Sequence, residues 1–192
     1  MAWKPDYITS AQLKNYVRVA DTVDDDEVAD AVSTASRAVD NYTHRQFGQV
    51  DTAEARTYTA SYDRHRCVYV AQIDDLQDVT GLTVVDSNGD TVTSSNYTLE
   101  PVNALFEGKV YTRILLPTCG NYVLTGLWGW SSVVTAVKLA TKLQGSRFLS
   151  RRDSPYGIAG SPDSGSEMRL LARLDPDVGV ALSEYVRRWW VR

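Results

Sequence analysis

Residues 24–47, DDDEVADAVSTASRAVDNYTHRQF, decide the fold that the sequence predicts. Asp24 is the expected N-cap, Glu27 completes a capping box, and Gly48 follows the expected end. The apolar residues follow the spacing of one helix face; they are Val28, Val32, Ala35, Val39 and Tyr42. This pattern predicts one long helix whose apolar seam must pack on other helices.

Composition places the chain among globular proteins. It has 192 residues, of which 43% are hydrophobic and 23% charged. No apolar run approaches the roughly 20 residues of a membrane span, and the N-terminus lacks the regions of a secretory signal, so we expect an intracellular protein without membrane contact. Cys67 and Cys119 have no CxxC partner, which favours two small core residues over a disulfide framework or a zinc site.

The charge is distributed unevenly along the chain. Residues 1–130 carry 10 Lys or Arg against 18 Asp or Glu, whereas residues 131–192 carry 10 against 6. A sequence-specific DNA reader is normally basic as a whole, so this distribution argues against one. It favours an acidic partner for the C-terminal part, or self-assembly in which the head of one copy contacts the side of the next.

The remaining segments predict an α+β fold, in which a helical bundle of about four helices contains an inserted antiparallel β region. Residues 1–50 and 131–192 are the expected parts of the bundle, and 51–130 the insertion. Thr9 begins a short helix through a capping box with Gln12. The β-type runs are 57–60, 67–71, 82–86, 91–99, 110–116 and 122–130. Asn88-Gly89 predicts a hairpin with a type I′ turn.

Two more helices are expected near the C-terminus. One begins at Ser131 or Ser132 and runs to about Arg152, and the other begins with Asp175 as N-cap and Pro176 at the first helical position. Between them, SPYGIAGSPDSGS (154–166) is long for a structureless loop and is typical of a functional one.

No catalytic residue, metal ligand or cofactor is predicted, and we do not expect an enzyme. His44 and His65 are the only histidines, and neither has an evident catalytic or metal-binding partner. Asp86, Asn88 and Asp90 resemble the start of a calcium loop, but Thr91 stands where glycine is required. The hairpin interpretation is therefore preferred for this segment.

The basic and aromatic residues of the last third leave alternatives open. The arginines at the end of the third helix could contact DNA phosphate or satisfy their own helix end. The adjacent Trp189 and Trp190 have the composition of an interface anchor, although one of them could instead close the core of the chain.

The order of these parts resembles the head-tail connector, or adaptor, proteins of long-tailed double-stranded DNA phages. The segments that carry the resemblance are YITSAQLK (7–14), Ala35 to Phe47, and GLWGW (126–130) leading into the third helix. The resemblance implies a virion protein of the neck, made in the host cytoplasm. It would form a ring, commonly of twelve copies, between the portal and the stopper or tail proteins, with the genome passing through the ring.

Three sets of residues are assigned within this hypothesis. The resemblance implies that the C-terminal segment docks on the portal; its residues are Arg187, Arg188, Trp189, Trp190, Val191 and Arg192. Complementary charge predicts a ring contact between the start of one helix and the end of another, through Asp25, Asp26, Glu27, Arg147, Arg151 and Arg152. The loop predicted to order on assembly contains Ser154, Pro155, Tyr156, Gly157, Gly160 and Pro162.

Two alternatives from other classes remain. One is a different neck component, such as a stopper or tail-completion protein. The other is an enzyme domain that binds a small molecule or peptide and uses the β region as its pocket.

Overall fold

The computed structural model describes residues 4–20, 24–153, 158–159, 168–169 and 175–187. These residues form two compact units. The sheet unit consists of Gly48–Ser132 with Lys4, and the helical unit consists of Pro5–Phe47 with the described residues from Val133 onward. None of the helices in these ranges has both the length and the apolar character needed to cross a membrane.

The sheet unit is built on a six-stranded antiparallel sheet, curled into a half-barrel. Its strands are β1 (Glu54–Asp63), β2 (Val68–Leu76), β3 (Asp78–Val85), β4 (Thr98–Glu100), β5 (Tyr111–Leu116) and β6 (Gly120–Leu127). Their order across the sheet is β3-β6-β1-β2-β5-β4. The first part of β1 pairs with β6 and its end pairs with β2, so two ladders meet on this one long strand.

One face of the sheet is packed and the other is exposed. Along β1 and β6 the side chains alternate between the two faces, as the pleat of a strand requires. The packed face contributes to a core that contains Val50, Ala60, Ala71, Ile73, Leu76, Val84, Ile114, Leu116, Tyr122, Leu124 and Trp128.

Both edges of the sheet are poor templates for a further strand. The register of β3 against β6 shifts between Asp78 and Thr83, where Gly81 has a φ of +70°. Beyond this bulge, Thr91 bridges to Val85 and covers the edge. At the other edge, β4 has only three residues. Bulges and short edge strands are the usual protection against edge-to-edge pairing.

The helical unit contains α1 (Ser10–Val17), α2 (Asp25–Thr43), α3 (Thr135–Asp153) and α4 (Pro176–Leu182). Two short strands, β7 (Ile158–Ala159) and β8 (Met168–Arg169), pair antiparallel. The helices meet around small contact residues. For example, a Cβ added to Gly145 of α3 would lie 3.0 Å from a methyl group of Leu13 in α1, so glycine permits this close approach.

The predicted helical bundle with an inserted β region is wrong. The sheet has its own core, in which Leu124 is fully buried and Trp128 is 1% exposed, so it is a principal folding unit. The local pattern understated the strands because pairing extends them: the run 57–60 became the ten-residue β1. The last helix, α4, ends at Leu182 and is followed by the 3-10 turn Ser183–Tyr185.

Three of the four helices begin at their expected N-caps, but α3 begins at Thr135 and not at Ser131 or Ser132. The Thr9 hydroxyl accepts a hydrogen bond from the Gln12 N–H, and the Gln12 side chain accepts one from the Thr9 N–H, which confirms the capping box of α1. Asp24 is the N-cap of α2 but makes no capping hydrogen bond with its side chain, so the second capping box is wrong. The same helix ends at Thr43 instead of Phe47, because His44 turns left-handed with a φ of +53°.

Two local predictions in the sheet unit fail for similar reasons of turn geometry. Cys67 and Cys119 are exposed and not in the core, and Cys67 occupies a turn position with a φ of +55°. The bridge between Val85 and Thr91 confirms the chain reversal after β3. The type I′ assignment is wrong, because the positive φ of that turn lies at Gly89 and not at Asn88.

Candidate interaction surfaces

The acidic start of α2 is exposed at Asp25, Asp26 and Glu27, where the ring contact was predicted. Lys14 of α1 forms an ion pair with Asp25 inside the same unit. Within the described ranges, Asp26 and Glu27 have no ion pair. These two carboxylates are therefore the part of the cluster that can form ion pairs with a partner.

The basic end of α3 is partly used within the chain. The Arg147 guanidinium donates to a carboxylate oxygen of Asp175 at 3.2 Å, and the Arg147 side chain is only 13% exposed. Asp175 is also the N-cap of α4, since its other carboxylate oxygen accepts from the Asp177 N–H at 2.9 Å. Arg147 thus joins α3 to the start of α4. Arg151 is half-buried, and the side chain of Arg152 lies outside the described residues.

The C-terminal segment is fixed to the end of α2 as far as Arg187. The Arg187 N–H donates to the Thr43 carbonyl at 2.8 Å, and Arg45 Nε donates to the Tyr185 carbonyl at 2.7 Å. The rings of Phe47 and Tyr185 pack edge to face at 5.9 Å. The other residues predicted to dock on the portal lie outside the described residues: Arg188, Trp189, Trp190, Val191 and Arg192.

The predicted assembly loop is described only at Ile158–Ala159, which forms β7 and pairs with β8. The stretch that was expected to lack secondary structure therefore contributes one strand. The residues assigned to the loop all lie outside the described part of the chain: Ser154, Pro155, Tyr156, Gly157, Gly160 and Pro162.

The GLWGW segment is held to the rest of the sheet unit by several hydrogen bonds. The indole N–H of Trp128 donates to the Glu54 carbonyl at 2.8 Å, and that of Trp130 donates to the Asp75 carboxylate at 2.9 Å. Between them, the Gly129 N–H donates to the Asp75 carbonyl at 2.6 Å. These contacts give the motif a structural role in the fold of this unit.

A polar cluster beside Trp128 is held together by ion pairs between its own residues. Arg56 donates to Asp74 at 2.9 Å and to Glu54 at 2.8 Å, while its guanidinium lies 5.1 Å from the centre of the Trp128 ring. Burial alone would lower the pKa of Arg56, but these hydrogen bonds raise it above its ordinary value. Burial and the neighbouring Asp74 raise the pKa of Tyr58. The arrangement stabilises the sheet, because each charged group contacts a group of opposite charge.

An exposed apolar turn between β4 and β5 was not predicted from the sequence. In residues 101–109, PVNALFEGK, Phe106 is 95% exposed, Val102 64% and Leu105 41%. The turn is nevertheless ordered: the Glu107 N–H donates to the Asn103 carbonyl, and the Lys109 N–H to the Ala104 carbonyl. The signal available in the sequence was three large apolar residues in a short connection that ends at glycine.

The described ranges contain no group of three His, Cys, Asp or Glu side chains placed to hold a metal ion. Comparison with known proteins finds no protein-family model that matches the chain and no curated protein that matches it.

Proposed function

We propose that this protein is a head-tail connector of a long-tailed double-stranded DNA phage. It would assemble as a ring in the neck, bind the portal on one side and the stopper or tail proteins on the other, and surround the path of the genome. Its action would be structural, without catalysis or a cofactor.

The observation that carries the proposal is the order of the segments that resemble the connector family. A capped short helix, the α2 segment, GLWGW and α3 follow one another along the chain, and the basic, aromatic segment follows α4. The resemblance rests on this order and on the quoted residues.

The surfaces support a role in binding other proteins. Asp26 and Glu27 present charge at an exposed helix start, and the turn with Phe106 presents apolar side chains to solvent. Exposed aromatic residues on an ordered backbone are characteristic of interface anchors. In the polar cluster around Arg56, one guanidinium pairs with both Glu54 and Asp74, so these groups already have partners within the sheet unit.

A second candidate is another neck component, such as a stopper or tail-completion protein. The observation that favours it is the six-stranded sheet with its own core, because the connector resemblance implied a mainly helical protein. The two candidates differ in their neighbours. A connector contacts the portal directly, whereas a stopper or tail-completion protein does not need to.

The direct test is co-expression of the chain with the portal protein encoded in the same phage genome. We expect the two proteins to copurify and native mass spectrometry to show a complex with many copies of this chain per portal ring. A portal-free complex with a tail protein would support the second candidate instead. Deletion of the gene provides an independent test, since loss of a connector should leave filled heads without tails.

A further inference from the structure

Besides the turn at 101–109, the sheet unit has a second surface without an assigned role, on the exposed face of three adjacent strands. The residues of this neutral face are Ala55, Thr57 and Thr59 of β1, Asn121, Val123 and Thr125 of β6, and Thr83 and Val85 of β3. Val123 lies opposite both Thr57 and Val85, so the rows cross all three strands. None of the eight residues is charged, although charged residues make up 23% of the chain.

The apolar turn resembles the neutral face because it, too, lacks a net charge. Its only two charged residues, Glu107 and Lys109, pair with each other at 2.7 Å, so the turn carries no net charge. A charged partner surface would lose hydration at Phe106 without gaining an opposite charge. An uncharged surface with β-branched side chains avoids this cost, and depletion of charge is typical of interface centres.

The backbone of the turn is also ordered before any partner binds. Ala104 is fully buried and anchors it, and Gly108 ends it with a φ of +66°. Because the backbone is already fixed by hydrogen bonds, little conformational entropy remains to be lost when Phe106 is covered. A buried Phe side chain removes about 150 to 250 Å² from water, which makes it an anchor within an interface of about 800 Å² per partner.

We propose that the apolar turn of one copy binds the neutral face of a second copy of this chain. The turn follows β4 at one edge of the sheet, whereas the neutral face spans β3, β6 and β1 at the other side of the strand order. After the first contact, one copy therefore keeps its neutral face open and the other keeps its turn open. Such head-to-tail contacts produce rings when the rotation closes. The inference rests on the proposed function for the ring, but the contact can be tested separately.

The test uses two complementary variants of the full chain. Phe106→Asp disables the turn, and Val123→Lys disables the neutral face; both positions are exposed, so circular dichroism and the melting temperature should stay close to wild type. We expect native mass spectrometry to show oligomers for wild type and an affinity about 30-fold or more weaker for each variant. Mixed in equal amounts, the variants should form a dimer that neither forms alone, because one intact turn and one intact neutral face remain between them.

Val180→Asp is the matched control, since Val180 is 75% exposed but lies in α4. It should assemble as wild type does. A monomeric wild type, an unchanged Phe106→Asp oligomer or a mixture without dimers would each overturn the contact. Portal binding reports on the proposed function independently. If Phe106→Asp still forms oligomers that bind the portal, the contact is wrong and the connector role stands. If the contact is confirmed but the protein does not bind the portal, the contact stands and the connector role is wrong.

Discussion

The carbonyl oxygen of Gly48 occupies the space where a side chain on Gly129 would begin. A Cβ placed on Gly129 would lie 1.8 Å from that oxygen, and the residue has a φ of +108°. Both the backbone contact and the backbone angle therefore require glycine at this position.

Gly129→Ala should lower the free energy of unfolding by about 3 kcal/mol or more, because the chain must move at a site that several hydrogen bonds hold. Gly89→Ala is the matched control: Gly89 also has a positive φ, of +88°, but nothing lies within 4 Å of its added Cβ. Its cost should be about 1 to 2 kcal/mol, from the backbone angle alone. Equal losses in urea unfolding would contradict the proposed clash.

Acid should destabilise the protein through Glu100. Hydrogen bonding to Arg66 holds the pKa of this buried carboxylate below its ordinary value, although burial opposes the shift. In the unfolded chain the pKa is about 4.3. The stabilisation is therefore complete above that pH and is lost as the pH falls through the lower pKa of the folded state.

Arg66→Gln should make the fall in melting temperature below about pH 4 to 5 shallower, since the folded pKa of Glu100 would move back towards its unfolded value. Lys109→Gln is the control, because it breaks the exposed pair with Glu107 and should leave the acid profile unchanged. If both variants gave the wild-type profile, Glu100 would not be the group responsible.

Reversal of Asp26 and Glu27 to Lys should weaken assembly of the proposed ring. These carboxylates are exposed, and charge reversal places like charges against the expected basic surface of a neighbour. Sedimentation at several salt concentrations would measure the effect, and helical circular dichroism should stay intact. The matched control reverses Asp51 and Asp90, which are exposed and lie outside the predicted contact; it changes the net charge by the same amount and should assemble normally.

A chain that stops after Arg187 should fold but not bind the portal. The truncation keeps the hydrogen bond from the Arg187 N–H to Thr43, so the melting temperature should stay nearly constant. It removes Trp189 and Trp190, the expected docking anchors. If one of these tryptophans instead closed the core, the loss would cost about 3 to 5 kcal/mol of stability. A truncated protein that melts early and still binds the portal would contradict the docking role.

Features set by a few neighbouring residues could be predicted from the sequence. The caps of α1 and α4 are examples, because their hydrogen bonds join only Thr9 with Gln12 and Asp175 with Asp177. The end of α2 was not predictable in this way: His44 adopts the left-handed conformation although it is not glycine, and Phe47 beyond it is buried against the Tyr7 ring. Long-range packing decided that boundary.

The architecture and the apolar turn were missed for related reasons. Strand order depends on pairing partners far apart in sequence, as between Glu54 and Gly126, and local β propensity carries no information about them. Titratable residues are the ones whose chemistry can be recognised in a sequence. Phe106 belongs to no such pattern, and its significance appears only when its exposure is known.

The protected edges of the sheet limit how copies of this chain can aggregate. With a bulge at Gly81 on one side and a three-residue strand on the other, neither edge offers the regular row of unpaired amides on which a cross-β fibril grows. Copies at high concentration can therefore associate through side-chain surfaces. Such association is reversible and can be changed by mutation. Even at high local concentration, amyloid-like growth from the native sheet is disfavoured.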